Sequence, residues 1–154
     1  LSGTNGTGVS NNSVELDGVT IKDSVKIYGG CATDQSPTST FKNSVTVANL
    51  QCEAGKYSEI YGGYSDNISS YENTVTIKSG AWEMVFGGCG NTGADGNKVI
   101  IDGGSFKENG QIYSGYTDSG NANENYITIN AGTFNNNDIG AGYRTLGREV
   151  LWRR

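Results

Sequence analysis

The same short sequence recurs five times along this chain. A clear copy begins at Asn73, as NTVTIKSGAWEMVFGGC, and holds two strand-like runs that each end near glycine. Further copies begin near Asn12, Asn43, Asn97 and Asn125, and successive copies start 24 to 31 residues apart. Repeats of this period build solenoids, in which each unit buries its apolar face against the next unit. We therefore expect residues 12–143 to form one repeat domain.

The first run of each copy alternates between apolar and polar residues. In the third copy Val75 and Ile77 are apolar, whereas Thr74 and Thr76 are polar. A period of two predicts a strand with one buried face, and no stretch of the chain shows the helical period. A unit of 24–31 residues is too short for a propeller blade and matches one coil of a parallel β-helix. The sequence therefore predicts an all-β solenoid of about five coils.

Asparagine begins every copy, so neighbouring coils would stack these side chains. We expect a structural ladder in which the amides satisfy the backbone of a corner, with each asparagine in the left-handed conformation that a corner needs. The ladder residues are Asn12, Asn43, Asn73, Asn97 and Asn125. Gly-Gly pairs such as Gly62-Gly63 follow the second run. They predict tight turns between coils rather than a phosphate loop, because no helix pattern comes after them.

Aromatic residues also recur at equivalent places. One column holds Tyr28, Tyr61, Phe86 and Tyr113, and another holds Tyr64, Tyr116 and Tyr143. Columns that face the core are the simplest interpretation, since stacked aromatic rings stabilise coils. If a column faces outward, its tyrosines form a strip suited to sugar rings or protein partners.

A polar series lies two positions beyond the second aromatic column. It contains Asp66 and Asp118, with Asn91 between them. Solvated loop residues are the simplest interpretation, and a weak Ca²⁺ site or a sugar-binding edge is the alternative. The candidate ligand-contact residues are therefore Tyr64, Asp66, Tyr116, Asp118 and Tyr143.

Composition excludes several classes of function. The chain has no histidine, which is the commonest general base and metal ligand. Glu59, Glu83 and Glu108 lie at different distances from their second runs, so no common carboxylate site emerges. The net charge of −5 argues against nucleic acid, and no run approaches the roughly 18 apolar residues of a membrane span. We expect no catalytic residue, no cofactor and no bound metal.

Three cysteines occur, and an odd number excludes a fully paired set of intramolecular disulfides. Cys31 and Cys89 occupy the same repeat position two copies apart, which places their Cα atoms about 9–10 Å from each other in a stacked solenoid. That distance is too long for a disulfide. Each is expected to be a small buried residue that replaces the usual tyrosine. A Cys31–Cys52 bridge stays open.

The two ends of the chain depart from the repeat. Residues 1–11 lack periodicity and are expected to be a flexible lead-in, whereas residues 144–154 contain all four arginines. The latter segment is a C-terminal cap, in which Leu146, Val150, Leu151 and Trp152 cover the last coil, or a truncated tail. Exposed coil ends also predict end-to-end self-association.

Three of these stretches resemble a known family. The segments NTVTIKSGAWEMVFGGC, NKVIIDGGSFKENGQIYSGYTDSG and SEIYGGYSDNISSYENTVTI resemble repeats in the passenger domains of bacterial autotransporter-type adhesins, over roughly residues 12–143. The resemblance implies a right-handed parallel β-helix outside the cell, anchored in the outer membrane in its full-length form and used for adhesion. The chain lacks the family's translocator barrel, so we expect it to be a fragment or a truncated product.

The leading hypothesis is a non-enzymatic passenger at the cell surface or secreted from the cell. Its variable loops would contact a glycan or protein of a host or neighbouring cell, without nucleic acid and without inserting this fragment into a membrane. One alternative is a carbohydrate-active β-helix, a polysaccharide lyase or hydrolase, in which loss of Asp66 or Asp118 would abolish cleavage. The other is a purely structural stalk spacer.

Overall fold

Parallel β-strands account for all regular structure that the computed structural model describes, which covers residues 8–33 and 38–145. The strands are β1 (Gly8–Ser10), β2 (Ser13–Asp17), β3 (Thr20–Ile21), β4 (Lys26–Ala32), β5 (Ser39–Phe41), β6 (Ser44–Ala48), β7 (Gln51–Cys52), β8 (Ser58–Ser65), β9 (Ser70–Tyr71), β10 (Thr74–Ile77), β11 (Ala81–Gly90), β12 (Lys98–Thr117), β13 (Tyr126–Thr133) and β14 (Asp138–Arg144).

Each coil contributes strands to three faces, and every strand pairs with its equivalent one coil away. Sheet A contains β1, β5 and β9 and continues through single bridges at Gly93 and Asn121. Sheet B contains β2, β6, β10, the first part of β12 and β13. Sheet C contains β4, β8, β11, the last part of β12 and β14. The predicted all-β parallel solenoid of about five coils is confirmed, and its right-handedness stays a prediction.

The core lies between the sheets and follows the predicted alternation. Val75 and Ile77 in β10 are fully buried, and Ile60 and Val85 enter the same core from sheet C. Trp82 is also fully buried, and its indole Nε1 donates to the Ser79 carbonyl at 3.0 Å. Each coil alone has too few apolar residues to form a core, so stacking of neighbouring coils provides the burial.

The left-handed corner residue is the one that precedes each ladder asparagine. The corner φ angles are 58° at Asn11, 55° at Lys42, 55° at Glu72, 67° at Gly96 and 53° at Glu124. The expectation that the asparagines themselves adopt this conformation is therefore wrong. The preceding residue makes the turn, which leaves the asparagine side chain free to point into the corner.

The Gly-Gly pairs lie inside strands of sheet C, so the prediction of turns at these positions is also wrong. A Cβ atom built on Gly63 would lie 2.5 Å from Nδ2 of Asn73, and one built on Gly62 would lie 2.4 Å from the carbonyl oxygen of Gly87. The same contact joins Gly30 to Asn43, Gly88 to Asn97 and Gly115 to Asn125. Glycine is needed here because the asparagine ladder packs directly against the strand backbone.

The repeat extends slightly beyond its expected limits. Residues 8–10 belong to a strand, so they are not part of a flexible lead-in, and residues 1–7 lie outside the described residues. At the other end β14 reaches Arg144, and the Thr145 backbone N–H donates to the Thr117 carbonyl at 2.9 Å. The expected cap residues Leu146, Val150, Leu151 and Trp152 lie outside the described residues.

Candidate functional site

The aromatic columns lie on the outer side of sheet C, and the geometry of the Gly-Gly pair explains why. Ile60 packs in the interior core, and a side chain on Gly62 or on Gly63 would point toward Asn73 at the inner corner. Because Gly62 and Gly63 both face inward, the in-and-out alternation of side chains along the strand is shifted by one residue after them. Tyr61 and Tyr64, three residues apart, therefore share the outer surface.

These rings form a cluster separate from the interior core. Tyr61, Phe86 and Tyr113 are only 6%, 4% and 2% exposed, so the interpretation that the first column is buried holds, although these rings form a second core outside the interior one. The tyrosines of the second column are half-buried and face outward. The first column, aligned by strand register, contains Tyr28, Tyr61, Phe86 and Tyr113. The second contains Cys31, Tyr64, Cys89, Tyr116 and Tyr143. We call the two columns together the aromatic strip.

Rings of the first column stack on one another along the solenoid axis. The centroids of Tyr28 and Tyr61 are 4.9 Å apart at 15°, and those of Tyr61 and Phe86 are 5.2 Å apart at 23°. The ring faces are therefore covered by neighbouring rings. Apart from the half-buried Tyr28, the column is also almost completely buried, so the surface that a ligand can reach is formed mainly by the second column.

Tyr64 is oriented differently from the first column. Both of its neighbours in the second column are cysteines, so no ring of that column stacks on it. Its ring makes angles of 65° with Tyr28 and 80° with Tyr61. At the opposite end of the strip Tyr116 and Tyr143 stack in parallel, with centroids 5.3 Å apart.

Carboxylates border the strip and bind its phenol groups. The hydroxyl of Tyr61 donates to Oε2 of Glu59 at 2.7 Å, and the hydroxyl of Tyr113 donates to Oδ2 of Asp138. Burial and these carboxylates raise the pKa of both phenols above their usual value. A hydrogen bond to Asp66, together with burial, likewise raises the pKa of Tyr64. The phenols are therefore neutral donors at physiological pH.

The polar series borders the other side of the strip. Thr145, two positions beyond Tyr143, continues the series into the last coil, and its hydroxyl donates to Oδ1 of Asp118 at 2.8 Å. Asp66 and Asp118 are two coils apart, a separation of about 10 Å. The candidate residues Tyr64, Asp66, Tyr116, Asp118 and Tyr143 thus lie on one continuous outer face.

Sequence reasoning missed the column on the far side of the rings. Strand register aligns Lys26, Glu59, Met84, Gln111 and Asp138. These residues differ in chemical type, so no pattern connects them. The available signal was position in the repeat, because each of them immediately precedes the first apolar residue of the core-facing side of its second strand. Glu83 lies outside this column and pairs with Lys107 at 2.7 Å.

The cysteines are free thiols in different surroundings. Cys31 is exposed on the aromatic strip, whereas Cys52 packs against the interior core, so the structure contains no Cys31–Cys52 bridge. Burial, together with the charges of Asp118 and Asp66, raises the pKa of the Cys89 thiol to about 12. A thiol with a raised pKa is a poor nucleophile at neutral pH.

Within residues 8–33 and 38–145, no group of three or more acidic or cysteine side chains is arranged to hold a metal ion. A shallow depression on sheet A has a volume of about 310 Å³ and is lined in part by Glu72, Asp95 and Glu124. Two of these carboxylates already have partners: Glu72 pairs with Lys42 at 3.6 Å, and Asp95 accepts from the Asn123 backbone N–H at 2.7 Å. The aromatic strip is therefore the stronger candidate.

No helix among the described residues has the length and apolar character required to cross a bilayer. Comparison of the chain with protein-family models, curated proteins and solved structures found no match.

Proposed function

We propose that this chain is a non-enzymatic bacterial solenoid that displays a ligand-contact surface on the outside of the cell or in a secreted form. The observation that carries the proposal is the aromatic strip. A glycine pair places the rings on the outer side of sheet C, where the half-buried Tyr64, Tyr116 and Tyr143 reach the surface beside exposed carboxylates. A surface of this kind on a rigid scaffold suits recognition better than it suits chemistry.

The chemistry of the strip favours a hydroxyl-rich ligand or a polar protein surface. Glu59 and Asp66 each accept a hydrogen bond from a strip tyrosine and keep further lone pairs for a ligand. Tyrosine rings supply apolar contact area with little loss of side-chain entropy on binding. A glycan or protein of a host or neighbouring cell can supply both the hydrogen-bond donors for these carboxylates and the apolar area for the rings.

The proposed location rests on the resemblance of the repeats to autotransporter-type passengers, from which we infer a chain at the cell surface whose full-length form is anchored in the outer membrane. The composition agrees with that location, since the chain is rich in small polar residues and only 18% of its residues are charged. Adhesion is the corresponding role. The feature of this chain that suits adhesion is a constant core of stacked valine and isoleucine residues, from which loops of variable length extend.

Binding of the chain to a glycan array and to immobilised extracellular proteins tests this proposal. The double variant Tyr64→Ala/Tyr116→Ala removes two rings of the strip and leaves the core of Ile60 and Val85 intact. We expect it to lose at least about tenfold in affinity for any ligand the wild-type chain binds. The control Tyr126→Ala removes an exposed tyrosine from sheet B and should bind normally.

Two results would overturn the proposal. One is a ligand that binds the double variant as tightly as it binds the wild-type chain, which would place recognition elsewhere. The other is cleavage of a polysaccharide by the wild-type chain that Asp118→Asn abolishes, which would favour the carbohydrate-active alternative. Absence of any ligand across both panels would favour a stalk spacer.

A further inference from the structure

The two ends of the solenoid carry complementary halves of the contact that joins its coils. In each contact between coils, Oδ1 of the later ladder asparagine accepts from the backbone N–H and from Nδ2 of the earlier one. Asn12 donates in the first contact, and Asn125 accepts in the last. Among the described residues none donates to Oδ1 of Asn12, and none accepts from the backbone N–H of Asn125.

The apolar core is also exposed at the C-terminal end. Ile129 and Ile139 are 43% and 38% exposed, whereas their equivalents one coil earlier, Ile101 and Ile112, are 0% and 1% exposed. At the N-terminal end Leu16 is only half-buried, although its equivalent Val47 is fully buried. Each end therefore has an apolar surface that another coil would cover.

Charges at the two ends are opposite in sign along one column. Lys26 begins the column that Asp138 ends, and Lys26 already pairs with Glu59 of the next coil at 3.0 Å. If coil five of one copy lies against coil one of another, Asp138 of the first copy faces Lys26 of the second. The hydrogen-bond donors and acceptors, the exposed apolar residues and the charges thus all favour an arrangement in which coil five of one copy faces coil one of another.

We propose that the 154-residue chain associates head to tail with further copies of itself, so that coil five of one copy stacks on coil one of the next. Asn125 then donates to Oδ1 of Asn12 in the next copy, which continues the ladder. Such a contact joins the C-terminal end of one copy to the N-terminal end of the next, so each added copy lies further along the solenoid axis. Association is therefore open-ended and produces filaments rather than closed dimers.

The test is the mass of the full chain in solution as a function of concentration, measured by light scattering and sedimentation. We expect the wild-type mass to rise above the 16.2 kDa monomer as concentration increases. A C-end variant, Ile129→Lys/Ile139→Lys, should stay monomeric. An N-end variant, Leu16→Lys/Lys26→Glu, should also stay monomeric. The control Lys78→Ala removes an exposed side chain of the third coil, away from both ends, and should behave like the wild-type chain.

Mixing the two monomeric variants tests the orientation. The C-end variant keeps an intact N-terminal end, and the N-end variant keeps an intact C-terminal end, so the mixture should form a 1:1 dimer and stop there. Dimers of either variant by itself would show contact between like ends and overturn the proposal. A wild-type chain that is monomeric at every concentration would also overturn it.

A charge exchange keeps the proposal testable if Leu16→Lys prevents folding. Lys26→Glu alone and Asp138→Lys alone place like charges across the contact and should each weaken association about tenfold. The double variant Lys26→Glu/Asp138→Lys restores opposite charges between copies and should recover most of that loss. Equal weakening in the double variant would contradict the head-to-tail register.

Discussion

Oδ1 of Asn97 accepts two hydrogen bonds from Asn73, one from the backbone N–H at 3.0 Å and one from Nδ2 at 3.1 Å. The Asn73 side chain also donates to the Thr40 carbonyl at 3.2 Å and to the Ser70 hydroxyl at 3.1 Å. Its amide is completely buried. One side chain thus joins backbone and side-chain groups of three coils, and the corner depends on it.

Replacing Asn73 should therefore destabilise the solenoid much more than replacing the ladder residue at the exposed end. Asn73→Ala leaves the buried backbone N–H of Asn43 without its acceptor and removes one of the two acceptors of its Nδ2, which keeps only the Val9 carbonyl. We expect a loss of about 3 kcal/mol in the free energy of unfolding. Asn12 is exposed and donates without accepting, so Asn12→Ala should cost less than about 1 kcal/mol. Urea unfolding of both variants measures the difference. Equal losses would contradict a corner held by buried amides.

Gly63 and Asn73 should be energetically coupled. A methyl group on Gly63 would lie 2.5 Å from Nδ2 of Asn73, so Gly63→Ala alone should destabilise by about 2 kcal/mol. In the double variant with Asn73→Ala the amide no longer meets the methyl group and only the Ser70 hydroxyl, at 2.7 Å, stays close, so the combined loss should be smaller than the sum of the two single losses by about 1 kcal/mol. Strict additivity in this double-mutant cycle would show that the two residues do not meet.

The sequence predicted the repeat, the alternation of Val75 with Thr76, and the columns of asparagines and aromatic rings. It could do so because stacking places equivalent residues together. It could not predict that Gly62-Gly63 lies in a strand, because the reason for glycine there is contact with Asn73, ten or more residues away in the chain. The left-handed corner at Glu72 was missed for a related reason, since the residue type gives no signal for that conformation.

The outward direction of the rings was missed because it depends on the same glycine pair. Strict alternation from Ile60 places Tyr61 outside and Tyr64 inside, whereas two consecutive inward glycines place both outside. The pairing of Tyr61 with Glu59 then follows from their separation of two residues on one strand. A single irregularity in the strand therefore decides which residues belong to the candidate site.

Stability should fall at alkaline pH because of the strip tyrosines. The pKa values of Tyr61, Tyr64 and Tyr113 are raised in the folded chain, whereas unfolded phenols titrate near 10. Above pH 10 the unfolded chain loses protons that the folded chain retains, so the free energy of unfolding decreases as pH rises. Below about pH 9 these groups are protonated in both states and contribute no pH dependence.

Urea unfolding at a series of pH values from 8 to 11.5 measures this effect. Removal of two of the phenols by Tyr61→Phe/Tyr113→Phe should reduce the slope above pH 10 relative to the wild-type chain. An unchanged slope in that variant would show that other groups with raised pKa values, such as Lys26 or Cys89, cause the alkaline loss.

The three thiols should differ in reactivity. Cys31 is exposed, whereas Cys52 and Cys89 are partly buried. Burial raises the pKa of Cys89 to about 12, so its thiolate is scarce at pH 8. We expect a maleimide reagent to modify Cys31 first and Cys89 much more slowly, with the sites assigned by peptide mass. Modification of Cys89 at the rate of Cys31 would contradict the packing of Cys89 between Tyr64 and Tyr116.

Selective modification of Cys31 provides the most direct test of the aromatic strip as the ligand-contact surface. A bulky polymer attached to this thiol lies beside Tyr28 and Tyr64 without changing a residue of the core. The measurement is the affinity of the modified chain for a ligand that the wild-type chain binds, at a concentration where the chain is monomeric. The matched control carries the same polymer on sheet B, in the variant Cys31→Ser/Tyr126→Cys. The account predicts that polymer at position 31 abolishes binding and that polymer at position 126 leaves it unchanged; full binding with polymer at position 31 would contradict it.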